Sequence, residues 1–228
     1  MYKVFARPPN FNIAGQDDII RQLPTVWVMR ERSECCERQL CGPSRAFTME
    51  IVDNSNQLVL TFDRKFECSL FFPGCIINPP HLEIIAGSGH LLGSVVMQSS
   101  LCSLFLQDWE FLVKDSNSDV VLIISVLPCQ FGPNCICEEW RADITTPARV
   151  PVGSMKNCWP GCGLRMCTKA DNFEVNWDVA TAFSPVSKAL TMGAMVLVDY
   201  VLFESRHHKR HDTMQGGRGA ADLVRLLS

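Results

Sequence analysis

No apolar run of the kind a signal peptide needs opens this chain; MYKVFARPPNFNIAGQDDIIRQ is mixed and partly charged. The expectation is a start in the cytosol, where thiols stay reduced. There is no large excess of charge either. A net charge of −3 over 228 residues argues against a broad basic face, so no nucleic-acid surface is expected. A glycine-rich phosphate loop and an H-E-x-x-H pair are also missing. His207, His208 and His211 fall in the tail, and His81 and His90 stand beside turns. No spacing singles out a Cys/His nucleophile pair, so covalent catalysis is not expected and the chain reads as a non-enzyme. Low-complexity tracts and fixed-period repeats are absent.

Cysteine, in contrast, is plentiful. Twelve occur, at 35, 36, 41, 68, 75, 102, 129, 135, 137, 158, 162 and 167. The spacings Cys158-x3-Cys162-x4-Cys167 and Cys129-x5-Cys135-x-Cys137 lack the paired C-x2-C knuckles of a typical zinc site. Core packing, zinc binding and lipid attachment all stay open, with small buried hydrophobes the commonest case. Apolar residues make up 47% of the chain and charged residues 20%, the balance of a folded domain with a substantial core.

From residue 46 onward the chain reads as short strands between turns. AFTMEIV and QLVLTF flank Asp53-Asn54-Ser55-Asn56, and EFLVKD and DVVLIISV flank Ser116-Asn117-Ser118. Both pairs predict hairpins. LEIIAG, LLGSVVMQ, WRADITT, RVPVGSM, LRMCTK and NFEVNW continue the pattern. Strands every eight to twelve residues or so, with no helical period between them, predict a mainly β, antiparallel sandwich or barrel.

One segment breaks the pattern. Ser184-Pro185 predicts a capped helix start, and residues 189–203 are apolar on nearly every face. Ala189, Leu190, Val196, Leu197, Val198, Val201, Leu202 and Phe203 supply the apolar surface, and Asp199 is the lone acid. A helix of this kind is either a core helix or a membrane span. Fifteen residues give about 23 Å, against the roughly 30 Å and 20 residues of a bilayer core. The Leu, Val and Phe side chains favour insertion by about 2–4 kcal/mol, and Asp199 costs about 2.5–3.5 kcal/mol. The sum is near zero. A sheet closed around this helix is therefore the expected architecture, with Asp199 given an internal donor or water, or kept neutral.

CCERQLCGPSRAFTMEIVDN (35–54), KADNFEVNWD (169–178) and the terminal helix ending in LFES together resemble the phospholipid scramblase family, over residues 27–205. The resemblance implies a tubby-like barrel of about twelve strands around a central C-terminal helix, residues 185–205. It implies bidirectional, ATP-independent movement of phospholipids across the plasma membrane when calcium rises. It also implies residence at the cytoplasmic face, single-pass if the helix spans. Residues 1–24 then form a divergent N-terminal segment and residues 206–228 a basic, flexible tail.

The sequence departs from that family in several places. The family's calcium-loop segment is acidic, but here Lys169 and Ala180 hold its first and last positions and Glu174 stands in place of a glycine. Asp171, Asn172, Asn176 and Asp178 remain as oxygen ligands for calcium, an incomplete set implying weak affinity. A polar turn leading into a strand is the plainer account of the same residues. In the stretch matching the family's palmitoylated cysteine run, ECSLFFPGCI, only Cys68 and Cys75 remain as lipidation sites. Leu70, Phe71 and Phe72 between them read equally as an apolar loop against the barrel or the bilayer. The proline-rich arm is missing, and only TVWVMRE precedes Cys35 where the family has at least two strands. An early strand is then lost and one barrel edge left open, unless the N-terminal segment covers it. Lys156 is the one base kept from a nuclear-import segment, and Arg206–Arg210 is the better match to anionic lipid.

Two functions follow from these residues. One is lipid translocation, with the helix entering the bilayer. A single short helix cannot shield a headgroup, so that route needs a homo-oligomer or local thinning of the membrane. The other is a membrane-associated lipid-binding or signalling adaptor whose helix stays buried.

Overall fold

The computed structural model describes residues 2–6, 24–32, 45–66, 70–72, 75–98, 109–126, 140–158, 172–177, 184–204 and 223–227. The strands, in chain order, are β1 (Tyr2–Ala6), β2 (Thr25–Arg32), β3 (Phe47–Asp53), β4 (Leu58–Arg64), β5 (Leu70–Phe72), β6 (Cys75–Ile77) and β7 (His81–Ala86). They continue as β8 (Leu91–Met97), β9 (Trp109–Asp115), β10 (Val120–Val126), β11 (Trp140–Thr145), β12 (Pro151–Cys158) and β13 (Asn172–Trp177). Helix α1 (Pro185–Val198), a π-helical turn (Asp199–Glu204) and β14 (Leu223–Leu227) complete the chain. Among the described residues the fold is mainly β with one C-terminal helix.

Twelve strands share one sheet in the order β1-β14-β13-β12-β11-β10-β9-β8-β7-β4-β3-β2, and β1 pairs back onto β2 to close the ring. β5 and β6 pair only with each other. The anticipated hairpins form where turn chemistry places them. In the β3–β4 turn, Asp53 Oδ1 accepts from the backbone N–H of Ser55 and Gln57, both at 2.8 Å. Asp115 Oδ1 repeats the device for Asn117 and Asp119 at 2.9 and 3.0 Å. Asn56 and Ser118 take the positive φ that each turn requires, 60° and 70°.

Both termini contribute strands. β1 lies inside the N-terminal segment and pairs antiparallel with β2, so that segment covers the early edge. The stretch expected to be a loose tail contains β14, parallel to both β1 and β13. Both strands are five residues long, and neither YKVFA nor LVRLL alternates polar and apolar residues, so neither carries a period-2 signal. They seal the edge that the sequence reading leaves open. The expected strand LRMCTK lies outside the described residues, as does the basic run 206–210.

Neighbouring strands from β2 to β13 are antiparallel, so the tight turns at 53–57, 86–90, 115–119 and 146–150 gather at one end. The longer connections join strand ends at the opposite, far end. β13 runs toward the turn end, so α1 starts there and its C-terminus reaches the far end. Alternation along each strand turns Met49 and Ile51, Leu60 and Phe62, Leu82 and Ile84, Phe111 and Val113, and Leu122 and Ile124 into one buried cluster around the helix.

Candidate functional site

The helix is built to be enclosed. Ser184 caps it, its Oγ accepting from the Ser187 N–H at 3.1 Å, and Pro185 occupies the first turn. Every residue from Leu190 to Val198 is buried, as are Tyr200 and Leu202. Ala189 and Val201 pack against the core as partly buried neighbours. Among the described residues, Pro185–Leu202 is the one helix long and apolar enough to cross a membrane, and 67% of it is buried inside the protein. A core helix passes the same test of length and composition.

Contact between helix and wall is closest against β7 and β8. At Gly193 an added Cβ would lie 2.6 Å from Ile84 Cγ1, and at Gly93 it would lie 2.9 Å from Leu190 Cδ2. Glycine at 193 lets the helix approach the sheet, whereas at 93 an added Cβ would first meet the Lys114 carbonyl oxygen of β9. Gly193→Val is expected to cost at least about 2 kcal/mol by overpacking. Combining it with Ile84→Ala should be less damaging than the sum of the two, a non-additivity that denaturant unfolding would measure.

At the far end the apolar lining gives way to charge. Tyr200 Oη donates to Glu31 Oε2 at 2.7 Å, and Arg45 Nε and Nη2 donate to Glu31 Oε1 at 3.2 and 3.1 Å. The Tyr200 ring stacks on Phe47 with centroids 4.3 Å apart, and the Arg45 guanidinium stands 4.8 Å from the Tyr200 centroid. Arg64, 2% exposed, lies 5.9 Å from the Phe47 centroid. Asp199 is 7% exposed and is engaged by its surroundings. Two acids and two arginines thus share one end of the interior, so their formal charges cancel. Burial of this kind is tolerable only when the charges are paired and hydrogen-bonded.

Sequence reasoning singled out Asp199 and missed Glu31, Arg45, Arg64 and Tyr200. Strand parity held a signal for two of them. Arg64 continues the inward series Leu60, Phe62, and Glu31 follows Met29 on the inward face of β2. An ionisable residue in the apolar phase of a strand needs a buried partner, and for Glu31 that partner includes Tyr200, near the other end of the sequence.

Two of the four proposed metal residues fall among the described residues. Asn172 and Asn176 sit on β13, paired with Cys158 and Ser154 of β12. Four residues along a strand separate their α-carbons by about 13 Å, too far for both side chains to meet one ion. Asp171 and Asp178 lie outside the described residues. No group of three His, Cys, Asp or Glu that could hold a metal occurs among the described residues. Glu174, where the family implies a glycine, is 0% exposed and forms an ion pair with Lys156 at 3.0 Å. Lys156, the base kept from the import segment, is therefore bound within the sheet. Of the lipidation positions, Cys75 starts β6 opposite Phe72, and Cys68 lies outside the described residues. The side chain of Phe203 lies outside the described residues as well.

Comparison of the sequence with known proteins identifies its relatives. A sequence model of the Scramblase family matches residues 18–205. Phospholipid scramblase 1 of Homo sapiens is 31% identical over 180 residues, covering 79% of this chain and 53% of the relative. Phospholipid scramblase 2 of Bos taurus is 31% identical over 185 residues, covering 78% and 57%. Phospholipid scramblase family member 5 of Homo sapiens is 29% identical over 184 residues, covering 78% and 62%. The chain thus spans between half and two thirds of the length of these curated relatives. No solved structure matches it significantly. The family match takes in the helix and ten of the twelve strands of the ring, all but β1 and β14, and this chain belongs to the Scramblase family.

Proposed function

We propose that this chain moves phospholipids between bilayer leaflets, in both directions and without ATP or covalent chemistry, at the cytoplasmic face of the plasma membrane. The observation that carries the proposal is a helix with span-like composition stored inside a β-wall. Seven large side chains of the helix (Leu190, Met192, Met195, Val196, Leu197, Val198 and Leu202) are buried. At about 1.5–3 kcal/mol each, their burial favours the enclosed state over exposure to water by roughly 10–20 kcal/mol. Lipid hydrocarbon is as apolar as the barrel interior, so the helix itself loses little on moving from one to the other. The resting state is therefore the enclosed one, and a bilayer is the medium that can receive the helix. A sheet wrapped around a central helix also supports a tubby-like fold.

The far end supports membrane contact. Phe66 is 53% exposed there, and it leads toward the separate β5–β6 hairpin, whose six strand residues LFF and CII are all apolar. A two-stranded hairpin is marginal alone in water. Acylation of Cys68 and Cys75 would add anchoring beside it. Calcium is proposed as a weak activator, since Lys169 replaces a ligand carboxylate and two of the remaining ligands stand on a strand. A homo-oligomer would supply the polar path that one helix cannot.

Reconstitution of the purified chain into vesicles carrying fluorescent lipid in both leaflets tests this proposal. Externally added dithionite should bleach nearly all the fluorescence, against about half in protein-free vesicles, and millimolar calcium should speed the loss. Bleaching that stops at the protein-free level would refute translocation.

A second reading, an adaptor with the helix permanently enclosed, is favoured by the tight Gly193–Ile84 approach. Alkaline carbonate should strip such a protein from membranes, whereas a spanning form stays in the pellet.

A further inference from the structure

The helix is held in two physically different ways. Along Leu190 to Val198 the grip is apolar and non-directional, so it resists exposure to water but does little to fix depth or rotation. At the far end a directional bond joins the helical segment to the wall, from Tyr200 to Glu31 across 169 residues of sequence. Arg45 holds Glu31 from the other side and lies near the Tyr200 ring, and Phe47 stacks on that ring. The backbone changes here too. The α-helix ends at Val198 and a π-helical turn begins at Asp199. π-turns are rare, and they occur frequently at functional sites.

We propose that the Tyr200–Glu31–Arg45 contact is a latch. It fixes the helix inside the barrel, and its opening, with the wall intact, is the step that frees the helix for a bilayer. The inference rests on the translocation reading for its purpose but not for its physical content. In water the latch keeps the apolar segment in register. Near a membrane the apolar grip no longer favours the barrel over its surroundings, and the polar contacts at the far end, this one among them, become the restraint. Its members differ in what they contribute. Tyr200 supplies one donor and a ring, and Glu31 supplies the acceptor shared by helix and wall. Arg45 keeps that acceptor charged and in place.

The test uses the full chain and three variants. Tyr200→Phe removes the hydroxyl and keeps the ring. Glu31→Gln keeps the shape and removes the charge. Ile124→Val, on β10 and 0% exposed, loosens the core away from the latch and serves as reference. Hydrogen exchange is followed at residues 195–204 and in β7–β10, and membrane residence is followed as the carbonate-resistant fraction on phosphatidylcholine vesicles. Both latch variants should exchange at 195–204 about tenfold faster or more, the effect of one hydrogen bond to a charged group. Protection in β7–β10 should stay at the wild-type level, and the carbonate-resistant fraction should rise severalfold. Ile124→Val should do neither. The double variant should open by less than the sum of the two single effects, because both weaken the same contact. Uniform loss of protection in the latch variants, or unchanged exchange at 195–204, would overturn the latch. Lipid translocation measured on the same vesicles decides the other question separately. Faster helix opening without lipid movement keeps the latch and removes the translocator. Lipid movement with unchanged helix exchange removes the latch and keeps the translocator.

Discussion

Val196→Asp is expected to abolish the folded state, while Val186→Asp, ten residues earlier on the same helix, leaves it intact. Val196 is 0% exposed and Val186 is 42% exposed. At the buried position the substitution removes about 1.5–3 kcal/mol of apolar burial. It also places an ion in an apolar core, a penalty of several kcal/mol. The sum reaches the whole stability of a typical domain, about 5–15 kcal/mol. At the exposed position the new acid falls in the first turn, where it interacts favourably with the helix dipole by a few tenths of a kcal/mol to about 1 kcal/mol. Thermal melts followed by circular dichroism separate the outcomes: no cooperative transition for one variant, an unchanged or slightly raised midpoint for the other. A Val196→Asp protein that melts like wild type would mean that the helix is not enclosed.

The second large effect belongs to Arg45. Arg45→Ala leaves the Glu31 carboxylate with its bond from Tyr200 but without the guanidinium. Removing one member of a buried ion pair typically costs about 3–5 kcal/mol. Arg45 is 5% exposed at its side chain and Glu31 19%, so the lower half of that range is expected. The guanidinium also lies near the Tyr200 ring, and giving up that cation–π attraction costs a further 0.5–2 kcal/mol, roughly. Replacing both charges, as Arg45→Met with Glu31→Leu in a Tyr200→Phe background so that no buried hydroxyl loses its acceptor, should recover most of the loss, because well-packed apolar residues often match a buried pair. The measurement is the urea midpoint at unchanged slope, under reducing conditions that keep the thiols out of the comparison. A combined variant no better than Arg45→Ala alone would show that the arginine acts through packing instead of charge.

Much of the architecture is legible in the residues. β3 and β4 alternate cleanly and are joined by an Asp/Asn turn, so both strands and their pairing can be read directly. Ser184-Pro185 marks the helix start, and the absence of a polar face from Leu190 to Val198 demands an enclosure. What is hidden depends on contacts distant in sequence. β1 and β14 are five residues each, and they become strands because they pair with each other across the length of the chain. Tyr200 reads as one more large residue in an apolar run until the fold brings Glu31 to it. The segment NFEVNW reads as a strand from its own alternation and as part of an ion loop from resemblance. Extended backbone holds Asn172 and Asn176 apart, so the local pattern is the better guide there.

The ring order carries a consequence for how the molecule assembles. The stave that seals the cylinder is encoded after the segment that fills it, so during synthesis the filling emerges before the seal. During synthesis the greasy segment leaves the ribosome facing an open, curved trough, and both trough and nearby lipid can receive it at that moment. The seal itself is the parallel seam on either side of β14, held on the β13 side by three residue pairs. Parallel ladders are slightly weaker per residue than antiparallel ones. The seam is therefore the place where the cylinder should part first, and exchange rates along β14 should exceed those of every antiparallel stave.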